Sequence, residues 1–175
     1  MAPDTRKPTT AGKSTTAGKL EMTLVILKPD AIERKLIGRI LERFEAKGLQ
    51  IAGMKMMQLS RESAESQYAE HKGKPFYEPL VRYMSSHPVI PVAVRGKDAV
   101  RIARAMAGAT FGSRAAAGTI RGDFGVSNRF NLIHASDSVQ SAERELAIYF
   151  RPEEMFRITP ADMGWVYDLS TGDLV

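Results

Sequence analysis

The 175-residue sequence contains no cysteine, which excludes disulfide bonds, catalytic thiolates and zinc sites built on cysteine ligands. Histidine is almost as scarce, and the three histidines are too far apart in sequence to form a metal-binding pair one helical turn apart. No apolar run approaches the roughly 18 residues that span a bilayer, and residues 1–20 lack the apolar core of a secretory signal. These absences predict a cytoplasmic protein with no membrane partner.

Positive charge is unevenly distributed along the chain. Residues 1–20 carry four basic residues and one acidic residue, so most of the net charge of +5 lies there. The same segment repeats TTAGK and has no apolar periodicity, which predicts a disordered, basic, low-complexity tail. The remainder, residues 21–175, has the composition of one globular domain and is nearly neutral, so nucleic acid is not expected as an obligatory partner.

Hydrophobic patterning from Met22 onward predicts alternating strands and helices. The run MTLVILK is apolar on both faces, as in a central strand, whereas residues 37–44 have helical periodicity that ends at Gly48. Pro91 conflicts with the strand that surrounds it, because proline cannot donate to a ladder. Further strands are predicted from Leu49, from Val89 and over 130–134, and helices over 61–71, 77–85, 97–107 and after a cap at Asp137 or Ser138. The order predicts an α/β (α+β) sandwich, in which helices cover a four-stranded, largely antiparallel sheet.

The chemistry is concentrated in TIRGDFGVSNRFNLIHASDS, residues 119–138. His134 ends a predicted strand and precedes a turn of small residues, which places its imidazole beside a helix N-terminus, where backbone N–H groups favour anions. On position alone, a buried structural histidine remains an alternative. Side chains suited to phosphate or sugar oxygens lie in the same segment or just before it: Arg104, Thr110, Thr119, Arg121, Asn131 and Ser136. Together they form a plausible phosphoryl-transfer site.

Two other functions are suggested by part of this segment. RGDFGV, residues 121–126, faintly resembles the aromatic strand of RNA-recognition domains, but only Phe124 and the more distant Phe130 are aromatic. The Arg-Gly-Asp triplet alone suggests cell adhesion, which needs an exported protein. A structural or regulatory relative that has lost activity is a third alternative.

Four separated segments, TLVILKPDA, KPFYEPLVRYM, GTIRGDF and NLIHASDSVQSAERE, together resemble nucleoside diphosphate kinases, from about Met22 to Tyr167. The resemblance implies a ferredoxin-like sandwich in which residues 21–175 form a catalytic domain. It also implies a ping-pong reaction, in which a nucleoside triphosphate, typically ATP, phosphorylates a histidine that then phosphorylates a nucleoside diphosphate. Such a reaction maintains the pools of NTPs and dNTPs.

The resemblance also implies roles for individual residues. His134 matches the family nucleophile, which becomes a pros-phosphohistidine, phosphorylated on the ring nitrogen nearest the main chain (Nδ1). Glu145 matches the glutamate that orients the imidazole, and Ser136 the residue that supports this glutamate. Mg²⁺ is expected to be held mainly by substrate phosphates, with Asp137 the nearest candidate ligand. The remaining matches contact the nucleotide or the transferred group: Lys28 and Asn131 near the ribose, Tyr68 near the phosphoryl group, Phe76 on the base, and Arg104, Thr110 and Arg121 on the phosphates.

Three departures from the family pattern qualify these expectations. Ala135 stands where relatives usually have glycine, which would cost on the order of 1 kcal/mol if that position required a positive φ. Asn128 replaces an aliphatic residue beside the base, and the loop 110–118 differs from that of many relatives.

The C-terminal GWVYDL, with the single tryptophan Trp165, resembles the tail of hexameric members and predicts a homohexamer, with a tetramer as the alternative.

Overall fold

The computed structural model describes residues 20–170, which form a four-stranded sheet and eight α-helices. The strands are β1 Glu21–Leu27, β2 Gln50–Met54, β3 Ile90–Gly96 and β4 Ile133–Ala135. The helices are α1 Pro29–Glu33, α2 Ile37–Ala46, α3 Arg61–Gln67, α4 Tyr77–Met84, α5 Ala99–Ala107, α6 Ile120–Phe124, α7 Val139–Tyr149 and α8 Met163–Val166. Short 3₁₀ turns lie at Ala69–His71, Gly112–Arg114 and Pro152–Glu154.

The sheet has the order β2-β3-β1-β4, and all three strand pairs are antiparallel. Strand β1 is central because both of its faces are apolar: Val25 and Leu27 pack on one side, Leu24 and Ile26 on the other. Helices α2 and α5 supply the core of the first side, while α3, α4 and α7 supply that of the second. The predicted four-stranded antiparallel sandwich is confirmed, with helices on both faces.

Helix ends follow local sequence signals. The sequence offers Asp137 or Ser138 as the cap of α7, and the structure has Ser138 there. Its hydroxyl accepts a hydrogen bond of 3.1 Å from the backbone N–H of Ser141. Gly48, with φ of 82°, follows the end of α2, where a left-handed residue is needed.

Pro91 lies within β3, but its carbonyl accepts from the backbone N–H of Lys55, just beyond β2. Its missing N–H therefore affects only the end of the pairing between β2 and β3.

The segment before β4 differs from the predicted strands. Residues 121–124 of RGDFGV belong to helix α6, which begins because the Thr119 hydroxyl accepts from Gly122 N–H at 3.0 Å. Strand β4 is shorter than the predicted 130–134, because Leu132 has φ of 70° and cannot continue an extended strand. The RNA-binding interpretation therefore loses the strand on which it depends.

Part of the predicted organisation lies outside the described residues. The basic tail predicted for residues 1–20 is outside them except for Leu20, and so are residues 171–175. Within residues 20–170, no helix has the length and apolar character that crossing a membrane requires.

Replacing Phe44 by alanine tests the core on the α2 side of the sheet. Phe44 is fully buried, so Phe44→Ala is expected to lower the free energy of unfolding by about 3–5 kcal/mol, measured by urea denaturation. Glu42→Ala, at an exposed position of the same helix, is the control and should change it by less than about 0.5 kcal/mol. Equal effects of the two substitutions would contradict this packing.

Candidate active site

A cleft of about 960 Å³ opens where β1 and β4 end, bounded by helices from both sides of the sheet. Its size is typical of sites for small molecules. Of the eleven residues to which the resemblance assigns roles, ten line it: Lys28, Tyr68, Phe76, Arg104, Thr110, Arg121, Asn131, His134, Asp137 and Glu145. The eleventh, Ser136, is fully buried beneath it. Thr119, also selected from the sequence for its hydroxyl, caps α6 instead.

His134 lies in the middle of β4, opposite Ile26 of β1, and its side chain is 19% exposed. Its Nε2 is 2.8 Å from Oε2 of Glu145, which projects from α7. An ionised carboxylate only accepts hydrogen bonds, so Nε2 carries the hydrogen and the lone pair of the neutral ring lies on Nδ1. The ring is therefore a partly accessible group with a defined basic nitrogen, rather than a buried structural histidine.

Glu145 is kept ionised by its neighbours. Burial by itself opposes ionisation, but hydrogen bonding and charge from His134, together with Ser136, outweigh it and lower the pKa of Glu145 below its ordinary value. The Ser136 hydroxyl donates to Oε2 at 2.7 Å, so this one oxygen accepts from both the serine and the imidazole. The serine and the glutamate thus support the orientation of His134 from below.

Arg121 anchors the backbone that carries the site. Its guanidinium donates to the carbonyls of Asn131 at 3.1 Å, Gly108 at 2.8 Å and Ile133 at 2.7 Å. Burial and the neighbouring Arg104 lower its pKa to about 10, so it remains a cation at neutral pH. Three of its five N–H groups are used in this way, and its side chain also lines the cleft. Arg104 is exposed and, among residues 20–170, donates only to the carbonyl of Ala135, at 3.2 Å.

Lys28, at the end of β1, is the most strongly perturbed cation of the cleft. It is 7% exposed, and its Nζ donates to Oδ1 of Asn131 at 2.7 Å. The Asn131 amide in turn donates to the carbonyl of Thr110 at 2.9 Å. Burial, followed by the charge of Arg121, lowers the pKa of Lys28 to about 7. The cleft thus contains a lysine whose charged form a nearby phosphate would favour.

Aromatic rings line the side of the cleft formed by α3 and α4. The Tyr68 ring meets His134 edge to face, with centroids 6.0 Å apart, and its buried hydroxyl has a pKa well above the ordinary value because of desolvation. His71 lies between Tyr68 and Phe76, with centroids 6.2 Å and 5.4 Å away. Phe76 is half exposed, as expected of a ring that offers a face to a planar ligand.

Two departures noted in the sequence have a structural outcome. Ala135 is not among the residues with positive φ, so alanine there costs no backbone strain. The strained residue is Leu132, whose N–H is held by the carboxylate of Asp30 at 3.1 Å. Asn128 lines the cleft and accepts a hydrogen bond of 3.2 Å from Ser113, so the substituted position remains part of the wall.

The side chains of the cleft suit a metal ion that is bound mainly by the phosphates of the nucleotide. Within residues 20–170, no group of three or more histidine, aspartate or glutamate side chains is placed to hold an ion. Asp137 offers an exposed carboxylate in the cleft, and its pKa is lowered chiefly by a hydrogen bond from Ser141. A second exposed carboxylate of the lining, that of Glu70, is paired with Arg144 at 2.8 Å. One carboxylate beside a polyphosphate is a donor set typical of Mg²⁺.

The Arg-Gly-Asp triplet is not displayed as an adhesion loop. Arg121 is buried, and Asp123 accepts a short hydrogen bond from Arg43 and another of 2.7 Å from Gly118 N–H. Its charged groups are engaged within the fold.

Sequence reasoning missed Gln67 and Asp30. Gln67 is 3% exposed, and its side-chain nitrogen lies 3.2 Å from Nε2 of His134. Asp30 accepts from Tyr83 OH at 2.5 Å as well as from Leu132 N–H. The only signal was indirect: Gln67 precedes Tyr68, and Asp30 follows the LKP that contains Lys28.

Comparison with known proteins decides the family. The family model described as nucleoside diphosphate kinase matches residues 21–155. The chain belongs to the nucleoside diphosphate kinase family. Phosphoryl transfer between nucleotides is accordingly its activity.

Individual relatives match across nearly their whole length. A nucleoside diphosphate kinase of Pyrococcus furiosus is 53% identical over 85% of this chain and 94% of its own. One of Archaeoglobus fulgidus is 48% identical over 85% of this chain and 99% of its own. A solved Halobacterium salinarum nucleoside diphosphate kinase, in complex with CDP, matches with a TM-score of 0.83 and 43% identity, over 85% of this chain and 99% of its own. The ferredoxin-like fold expected from the sequence is thereby confirmed.

The lowered pKa of Lys28 predicts proton uptake on nucleotide binding. At about pH 8 the free lysine is mostly neutral, and bound phosphates should return it to the charged form, so ADP binding is expected to take up close to one proton. At about pH 6 the lysine is already charged, and this uptake should vanish. Calorimetry in buffers of different ionisation enthalpy measures it, and Lys28→Met corrects for protons released by the nucleotide. Equal uptake by the wild type and Lys28→Met at pH 8 would contradict the assignment.

Proposed function

We propose that this kinase transfers the terminal phosphoryl group of a nucleoside triphosphate, typically ATP, to a nucleoside diphosphate through a phosphohistidine on His134. The observation that carries the proposal is the 2.8 Å contact between Nε2 and Glu145, which leaves Nδ1 as the basic nitrogen of a ring that lines the cleft. We further propose that residues 21–175 form the catalytic domain and that the protein acts in the cytoplasm, where its nucleotide substrates are found.

In the first half-reaction the Nδ1 lone pair attacks the terminal phosphorus. The N–P bond forms as the bond from phosphorus to the bridging oxygen breaks, and the electron pair leaves with the nucleoside diphosphate. The ring keeps its hydrogen on Nε2 and gains positive charge, which the Glu145 carboxylate stabilises at 2.8 Å. A second nucleoside diphosphate then attacks the phosphohistidine, and the same bond changes run in reverse.

Two neighbouring cations of the cleft match the charge that such a reaction spreads over the phosphate oxygens. Arg104 is exposed, and Arg121 is held in place by three backbone carbonyls. Positioned donors of this kind pay no reorganisation energy during the reaction, which is why phosphoryl transfer depends chiefly on them. Tyr68, whose raised pKa keeps its hydroxyl protonated, lies against His134 and donates toward the transferred group.

The nucleoside is held by polar groups at one end and by an aromatic face at the other. Lys28 and Asn131, bonded to each other at 2.7 Å, exchange this contact for the ribose hydroxyls and the phosphates, and Thr110 adds a hydroxyl to the phosphate side. Phe76 stacks on the base. Stacking is tolerant of base identity, so purine and pyrimidine nucleotides are both substrates.

Mg²⁺ is the proposed cofactor, held mainly by the substrate phosphates. Asp137 is the residue placed to hold it, directly or through water, because its carboxylate lines the cleft and its pKa is lowered. When bound, the ion neutralises phosphate charge and thereby favours attack by an uncharged nitrogen.

Labelling with γ-³²P ATP tests the nucleophile. The wild type is expected to form an acid-labile, base-stable phosphoprotein, and His134→Ala should lose both the label and at least about 10³-fold in turnover while still binding ADP. His87→Ala, which removes an exposed histidine outside the cleft, is the control. Retained turnover in His134→Ala would refute the assignment, and an unlabelled wild type that still binds ADP would favour a binding protein without catalysis.

A homohexamer is the proposed assembly, with a tetramer as the alternative. Trp165 in α8 is 94% exposed in the single chain, an unusual position for a large aromatic side chain unless a neighbouring subunit covers it.

Native mass spectrometry tests the assembly. The wild type is expected to give a sixfold mass, and Trp165→Ala is expected to shift the population toward smaller species at low concentration, because it removes aromatic area from the interface. Arg157→Ala, at another exposed position of the C-terminal segment, is the control. An unchanged hexamer in Trp165→Ala would exclude a role for this ring in assembly.

A further inference from the structure

Gln67, the last residue of α3, makes an unexplained contact with the proposed nucleophile. Its side-chain nitrogen lies 3.2 Å from Nε2 of His134, the same nitrogen that is 2.8 Å from Glu145. A ring nitrogen either donates one hydrogen bond or accepts one. Because the Glu145 carboxylate only accepts, Nε2 must donate, and an amide N–H facing it cannot donate to that nitrogen. In this orientation the amide is left with the Glu145 carboxylate, whose pKa it helps to lower.

The other atom of the same amide is also badly placed. Gln67 is 3% exposed, and its carbonyl oxygen is buried without a hydrogen-bond partner among residues 20–170. A buried acceptor without a partner is costly. Half a turn about the last side-chain bond exchanges the oxygen and nitrogen positions, which have nearly the same shape. The oxygen then lies about where it can accept from Nε2–H.

We propose that Gln67 is a positioning residue for His134: its side-chain oxygen shares the Nε2–H with Glu145 and thereby directs Nδ1 into the cleft. The proposal rests on the proposed function of His134. The two acceptors come from helices α3 and α7, so they hold the ring from two directions, which one acceptor cannot do.

A second acceptor has its largest effect when the ring carries most positive charge. Phosphoryl transfer to Nδ1 withdraws electrons from the ring, so Nε2–H becomes a stronger donor as the N–P bond forms. An oxygen already in place stabilises that state more than the free enzyme. Gln67 does not contact the nucleotide in this scheme, so its loss should slow phosphorylation without weakening nucleotide binding.

Single-turnover phosphorylation by ATP is the kinetic test. Gln67→Met keeps the length of the side chain and removes the amide, and is expected to slow labelling of His134 by about three- to tenfold with unchanged affinity for ADP. Gln67→Glu, which keeps an acceptor oxygen, should react faster than Gln67→Met, increasingly so as the pH is lowered, because two adjacent carboxyls raise each other's pKa and one of them then takes up a proton. Gln140→Met, at an exposed position of α7, is the control and should react as the wild type.

Three kinetic results would overturn the proposal. They are a rate for Gln67→Met within twofold of the wild type, a loss of rate matched by an equal loss of ADP affinity, and a Gln67→Glu variant no faster than Gln67→Met.

The tautomer of His134 provides a readout that does not depend on turnover. With only three histidines, ¹⁵N-labelled protein gives a simple imidazole spectrum, and the His134 signals are those missing from His134→Ala. The wild type is expected to show the Nε2–H form, and Gln67→Met a ratio of Nε2–H to Nδ1–H that is at least about threefold lower. An unchanged ratio would overturn the role of Gln67 even if the enzyme is fully active. If His134 takes up no phosphate in the wild type, the proposed function fails instead, and the spectra still report on Gln67.

Discussion

The hydrogen bond between His134 and Glu145 is the interaction on which the site depends. It joins strand β4 to helix α7, fixes the hydrogen on one ring nitrogen and leaves the other nitrogen basic. Ser136 completes it by donating to the same carboxylate oxygen at 2.7 Å. Burial would otherwise favour a neutral glutamic acid, which makes a weaker acceptor for an imidazole that gains charge. The chemistry of the ring is therefore determined by a glutamate that lines the cleft and by a serine buried beneath it.

Buried cations constitute the second constraint. Arg121 and Lys28 both lose hydration in the fold, and each is compensated by oxygen atoms: three backbone carbonyls for the arginine and the Asn131 amide oxygen for the lysine. The compensation is unequal, because the arginine stays charged at neutral pH whereas the pKa of the lysine falls to about 7. The site thus combines Arg121, a cation that stays charged, with Lys28, whose charged form nearby phosphates are expected to favour.

Elements with strong local signals were predicted correctly, and elements shaped by distant contacts were not. Helix α2 follows from apolar periodicity and the glycine that ends it, and α7 from periodicity and its Ser138 cap. RGDFGV, in contrast, has a composition that suits a strand, yet it is helical because Thr119 caps it and Arg121 bonds to carbonyls of two other segments. Leu132 has a left-handed backbone, held by the carboxylate of Asp30, which is 102 residues away in sequence.

The sequence by itself determined the family, the antiparallel sandwich and ten of the residues that line the cleft, because these are carried by periodicity and by four ordered motifs. The resemblance also implied that the pros nitrogen of His134 reacts, but only the tertiary structure supplied the physical reason, because Nε2 of the ring and the Ser136 hydroxyl meet at one oxygen of Glu145. It alone also placed Gln67 beside the ring, because a glutamine has no chemical signature in a sequence and acquires one only through burial and distance.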